Sequence, residues 1–207
     1  MAGRIALYGG SFDPVHNGHL IIARSIAEQL DVQRVILLPS RTPPHKPRGT
    51  VASGEHRLAM TRLAVEGEPL FEVSDADLTC EGPSYTANTV EGFRDRLGPG
   101  VDLLWIVGAD SLLELHTWWQ PERIVRHCRV VSALRPGSEI QDLPEMRSKL
   151  GDQVAQQLLA DIVMTPRIDI SATDIRQRVS DERSIRYLVP DAVARYIAEH
   201  RLYTSAD

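Results

Sequence analysis

Two histidines three residues apart, His16 and His19, lie in Gly9-Gly10-Ser11-Phe12-Asp13-Pro14-Val15-His16-Asn17-Gly18-His19, directly after a short apolar run. At a helix start, residues three apart share one face, so both imidazoles would meet the same ligand. A helix N-terminus carries partial positive charge and ordinarily recruits acids, so two potential cations there point to an anion as the missing partner. The glycines would let main chain approach that anion closely. Far downstream, Ile170-Ser171-Ala172-Thr173-Asp174-Ile175-Arg176 opens a second helix. Ser171 with Asp174 fits a loose capping box, which leaves Thr173 and Arg176, three apart, to direct a hydroxyl and a guanidinium fork at phosphates.

Two familiar phosphate loops are excluded. The first turn lacks G-x-x-x-x-G-K-[ST], and it lacks G-x-G-x-x-G because no glycine stands at the required places between Phe12 and Gly18. The histidines do not form H-E-x-x-H and no cysteines cluster near them, so a protein-held zinc is not expected. Both motifs point to a ligand that carries phosphates.

Elements able to hold these groups alternate along the chain. Apolar runs at 4–8, 35–38, 71–73, 103–107, 129–134 and 162–164 read as strands, most of them ended by glycine or proline turns. Helical spacing follows the first run through Leu20, Ala23, Ala27 and Leu30, and Ser53 can cap a helix bearing Leu58, Met60, Leu63 and Ala64. Ser84 can cap the next one, 138–160 reads as polar and mostly helical, and a last helix opens at Pro190. This pattern predicts one α/β domain over 1–207, a doubly wound parallel sheet of Rossmann-like form. Its last strand and C-terminal helices, 161–207, complete the phosphate site. Ligands of such sheets lie beyond the carboxyl ends of the strands, which is where both motifs fall. There, Gly108 and Asp110 follow the most apolar strand, with Asp110 able to accept from ribose hydroxyls or to cap the helix behind it.

The 207 residues carry 23 basic and 28 acidic side chains, a net charge of -5 that gives no long-range attraction to nucleic acid. The longest stretch without a charged residue is the 10 residues from Pro14 to Ala23, against about 20 for a membrane span. No signal-peptide pattern opens the chain, and a cytoplasmic location is expected. Cys80 and Cys128 are too few for a disulfide framework and are read as free thiols.

Taken together, the motifs resemble those of the bacterial nicotinate-nucleotide adenylyltransferases, in the H-x-G-H nucleotidyltransferase superfamily. The segments that carry the resemblance are Gly9 to His19, Pro43-Pro44-His45-Lys46, Pro83-Ser84-Tyr85-Thr86, Gly108-Ala109-Asp110, Thr117-Trp118, Arg135-Pro136, Ile170 to Arg176 and Leu188 to Asp191. H-x-G-H alone marks the superfamily, and the P-P-H-K and P-S-Y-T segments with the tryptophan narrow it to this substrate.

The resemblance implies adenylyl transfer from ATP to nicotinate mononucleotide. His16, His19 and Arg176 would act on the transferring phosphate. Gly9, Gly10, Ser11, Phe12, Gly18, Gly108, Asp110, Ile170, Ser171 and Thr173 would bind ATP. His45, Lys46, Tyr85, Thr86, Trp118 and Arg135 would bind the mononucleotide, Trp118 offering its ring to the pyridine. Magnesium would be held mainly by phosphates. Pantetheine-phosphate adenylyltransferase, or a non-enzymatic nucleotide sensor on the same fold, are the alternatives. Met146-Arg147-Ser148-Lys149 is similar to a synthetase K-M-S-K-S loop only in part, lacks its first lysine, and is read as surface.

Overall fold

The computed structural model describes residues 3–41 and 52–204. His45 and Lys46 lie outside the described residues.

Six strands form one parallel sheet: β1 (Arg4–Gly10), β2 (Arg34–Pro39), β3 (Phe71–Val73), β4 (Asp102–Gly108), β5 (Arg129–Leu134) and β6 (Ile162–Met164). Their spatial order is β3-β2-β1-β4-β5-β6, and every neighbouring pair is parallel. The order reverses between β1 and β4, which makes the space beyond Gly10 and Gly108 the switch-point crevice of a doubly wound fold.

Side chains alternate to opposite faces along each strand, and both faces are covered. Ala6, Leu37, Leu104, Ile106 and Val131 face one core. Against them pack α1 (Asn17–Gln29), α2 (Gly54–Ala64), α9 (Ala172–Ser180) and α10 (Asp191–Glu199), through residues such as Ile26, Met60, Ile175 and Val193. Leu7, Ile36, Leu103, Trp105 and Val130 face the other core. It is closed by α4 (Thr86–Leu97), α5 (Ala109–Glu114), α6 (Pro121–His127), α7 (Pro144–Leu150) and α8 (Asp152–Ala160), with α3 (Ala76–Thr79) a single short turn before α4.

All six expected strands are present, and the structure corrects several local readings. β1 continues through Gly9 and Gly10, which pair with Leu38 and Pro39, so these glycines extend the strand. Tyr85, not Ser84, holds the N-cap position of α4 and makes no side-chain cap bond. Met146 is part of the second core, 1% exposed, while Arg147 on the same helix pairs with Asp142 and Asp152. Both cysteines are free; Cys128 is buried, and burial pushes its thiol up to about 12, which leaves it inert.

Candidate active site

β1 delivers the chain to a tight loop, 11–16, and α1 begins at Asn17 with His16 as N-cap and His19 as its third residue. The His16 N–H donates to Nδ1 of His19 at 3.2 Å, and the two rings stack with centroids 3.7 Å apart and planes 24° from parallel. A ring nitrogen that accepts carries no proton, so neutral His19 holds its hydrogen on Nε2. Phe12 (5.0 Å) and Tyr8 (6.1 Å) pack edge-on against the same ring.

Burial lowers His16 to about 4, and burial with the neighbouring His16 lowers His19 well below the usual imidazole range. The two potential cations are therefore neutral rings as long as no ligand is bound. They offer N–H dipoles, and a bound polyanion would favour their protonated forms.

The glycines serve different ends. A Cβ on Gly18 would stand 3.0 Å from His16 Nδ1 and 3.2 Å from Ile168 Cγ2, so its absence admits the imidazole stack. A Cβ on Gly9 would lie 2.7 Å from the Trp105 ring, and one on Gly10 would lie 3.1 Å from the Phe12 ring. At these two positions the missing side chain makes room for the protein's own aromatics. Phe12 is 1% exposed at a φ of 44°, so only its main chain can face a ligand.

One cleft of about 490 Å³ lies beyond the strand ends. It is lined by Tyr8, His16, Gly18, His19, Gly108, Asp110, Arg135, Ile170 and Ser171, among others. The two distant motifs meet in it through Ile170 and Ser171, while Thr173 and Arg176 stand outside its lining. The capping alternative for Asp110 fails, since Gly108 is the N-cap of α5 and Asp110 follows inside its first turn, exposed and with no bond to its carboxylate among the described residues. It is the one carboxylate among the described residues that line the cleft.

Ser171 caps α9 as expected, its hydroxyl accepting from the Asp174 N–H at 3.0 Å. That cap aims the first turn of α9 at the histidine loop. Arg176 Nη1 donates to the Asp13 carbonyl at 2.7 Å, and its Nη2 donates to the Thr173 hydroxyl at 3.2 Å. Arg176 and His16 are thereby fixed to one four-residue stretch of main chain, 13–16.

The residues expected at the pyridine end are placed less uniformly. Arg135 lines the histidine cleft. Tyr85 lines a different cavity of about 480 Å³ with Asp77, Asn88 and Arg96, and its ring stacks on Trp119, centroids 4.6 Å apart. Trp118 packs partly against the second core. Thr86 is the first residue of α4, where main-chain N–H groups lack helical partners.

Sequence reasoning missed Asp13, Arg57 and Tyr203. Asp13 is 0% exposed; its Oδ1 accepts from the Tyr203 hydroxyl at 2.7 Å and from the Ala52 N–H at 3.0 Å. Arg57, 1% exposed, donates to the carbonyls of Ala52, Ser11 and Ser40. A signal for Arg57 existed: it precedes Met60, Thr61 and Ala64 by three, four and seven residues, on the apolar stripe of α2.

Among the described residues, no group of three or more His, Cys, Asp or Glu side chains is arranged to hold a metal ion, and no helix is long and apolar enough to cross a membrane.

Comparison with known proteins agrees with this geometry. The family described as cytidylyltransferase-like matches residues 7–178. A Roseiflexus castenholzii protein named "Probable nicotinate-nucleotide adenylyltransferase" is 43% identical over 205 residues, covering 98% of both chains. A Moorella thermoacetica protein of the same name is 41% identical, covering 97% of this chain and 92% of the relative. Among solved structures, the Plasmodium falciparum nicotinic acid mononucleotide adenylyltransferase complexed with NaAD superposes with a TM-score of 0.73 at 18% identity, covering 97% of each chain, a likeness of fold. The chain thus belongs to the cytidylyltransferase-like family, in the group whose curated members carry the name nicotinate-nucleotide adenylyltransferase.

Proposed function

We propose that the protein transfers the adenylyl group of ATP to nicotinate mononucleotide, giving nicotinate adenine dinucleotide and pyrophosphate. The observation that carries this reading is the stacked His16–His19 pair at the switch point, with Arg176 tied to the same loop. Close relatives over nearly the full length supply the substrate class.

A phosphate oxygen of the mononucleotide attacks the α-phosphorus of ATP, a P–O bond forms, and the bond to pyrophosphate breaks. The nucleophile is already anionic at neutral pH, so no general base is required. His19, donating from Nε2, and His16 stabilise charge on the transferring group, which in a dry cleft is worth several kcal/mol. Arg176 and Thr173 hold the triphosphate from the other side. Main chain from Gly9 to Phe12, with Gly18, Ile170 and Ser171, frames the phosphates, and Gly108 and Asp110 take the adenosine. The segment 161–207 completes this half of the site.

Magnesium enters as the substrate's own ion, held by phosphate oxygens and water, and offsets charge on the departing pyrophosphate. A cleft with neutral imidazoles and a single lining carboxylate fits an ion that arrives already bound to ATP.

For the mononucleotide, Lys46 with His45, from the proline-rich segment outside the described residues, and Arg135 would meet the phosphate. Tyr85, Thr86 and Trp118 would meet the nicotinate ring and its carboxylate, with free N–H groups at the start of α4 as donors. A cytoplasmic location, where ATP is plentiful, belongs to the same proposal.

The deciding experiment measures pyrophosphate release with nicotinate mononucleotide, nicotinamide mononucleotide and phosphopantetheine side by side. Preference for the acid over the amide is expected. Release with phosphopantetheine alone would replace the assignment, and the absence of release with every acceptor would favour a nucleotide sensor.

A further inference from the structure

We propose that Tyr203 and Asp13 form a positioning pair that sets the Arg176 guanidinium for the triphosphate, so that the C-terminal turn is part of the ATP site; this rests on the function proposed above. The Tyr203 hydroxyl donates to Asp13 Oδ1 at 2.7 Å. The carbonyl of that same Asp13 accepts from Arg176 Nη1 at 2.7 Å, and Asp13 Oδ2, 3.8 Å from this nitrogen, has no hydrogen-bond partner.

Tyr203 fixes one oxygen and leaves the other turned to a guanidinium. Arg176 has five N–H donors, of which Asp13 and Thr173 engage two; the others have no partner among the described residues, and 18% of the side chain's surface is open. Burial and the neighbouring Asp13 both push the Tyr203 phenol above its ordinary range, so it persists as a donor. The family match ends at residue 178, and yet the group that orients the catalytic loop's buried acid comes from residue 203.

Tyr203→Phe removes the hydroxyl alone. The expected result is a rise of about 3- to 10-fold in the KM for ATP and in the Kd of a non-hydrolysable ATP analogue measured by calorimetry, from one lost hydrogen bond. The KM for nicotinate mononucleotide should stay near wild type, and the melting temperature should fall by only a few degrees, because Asp13 Oδ1 keeps the Ala52 N–H. Asp13→Asn should weaken the analogue further; should it fail to fold, Tyr203→Phe decides alone. Tyr196→Phe, which loses a phenol contact to His56 instead, is the control and should leave ATP binding unchanged. Unchanged analogue affinity in Tyr203→Phe, or a loss of affinity for both substrates in step with lost stability, would overturn the proposal. Wild-type protein that binds the analogue but releases no pyrophosphate with any acceptor would sink the adenylyl transfer and leave this pair standing.

Discussion

The two ends of the sheet treat charge in opposite ways. At the amino ends of the strands, Arg4 pairs with Asp102 at 2.7 Å, and Arg129 bridges Asp102 (3.4 Å) and Asp161 (2.6 Å). The other Asp161 oxygen accepts from Gln157 at 2.9 Å. This chain of pairs ties β1, β4 and β5 to the turn before β6. At the carboxyl ends, Asp13 Oδ2, His16 Nδ1 and Arg57 Nη2 are three of the four buried side-chain polar atoms without a hydrogen-bond partner among the described residues. A satisfied network serves the fold, whereas at the other end His16, the one of these three that lines the cleft, carries its open nitrogen where a ligand can complete it.

The sharpest way to break this contrast is at the carboxyl end. His19→Ala should lower kcat by about 10²–10³-fold with little change in either KM, as expected when one preorganised donor is lost. Steady-state kinetics with both substrates checks it, and an effect confined to the KM for ATP would remove the transition-state role.

Acid comes next. His16 is neutral in the fold and lowered to about 4, so the unfolded chain takes up its proton first as pH falls through the usual value of about 6.5. The stability that His16 contributes by staying neutral is fully present above that value and is lost between about 6.5 and 4. The loss is about 3 kcal/mol for a shift of this size. His16→Gln should flatten melting temperature against pH in that window. Binding of ATP, by the same linkage, should draw a proton into the cleft, so that calorimetric binding enthalpies vary with the ionisation heat of the buffer.

At the amino end the expected outcome reverses. Arg129→Met leaves Asp161, whose side chain is 4% exposed, without its cation and should cost about 1–3 kcal/mol of stability while kcat/KM at low temperature stays at wild type. Denaturant unfolding beside kinetics tests it, and lost activity without lost stability would dissolve the distinction between the two ends.

The smallest effect concerns the pyridine. Trp118→Ala should raise the KM for nicotinate mononucleotide about tenfold, on a stacking contribution of about 1–3 kcal/mol. Trp119→Ala should change it less, because Trp119 stacks on Tyr85. A larger effect at Trp119 would exchange their roles.

How much was legible in the sequence follows from how local each signal is. The six strands were readable because parallel strands buried on both faces are continuous apolar runs between turn residues. Short helices such as α3 and α6 escaped, since four to seven residues carry too little periodicity to distinguish from a loop. The H-x-G-H spacing and the Ser171 cap were legible as local patterns. What they do not reveal is protonation: the neutrality of both imidazoles arises from burial, with the neighbouring His16 adding to it at His19, and burial is a property of the folded chain. Gly9 and Gly10 were read as room for phosphate, and only tertiary packing discloses that Trp105 and Phe12 take that space. The Asp13–Tyr203 contact spans 190 residues, beyond any spacing argument.

The Trp105 indole, wedged where Gly9 has no side chain, belongs to the core on the far face of the sheet from Phe12 and Val15. The height at which the 11–16 loop leaves the strand is thus set from underneath, by an indole that is itself 4% exposed. Natural drift in that core would surface as altered turnover before it surfaced as misfolding, and a residue's weight in the reaction becomes separable from its distance to the reacting phosphorus.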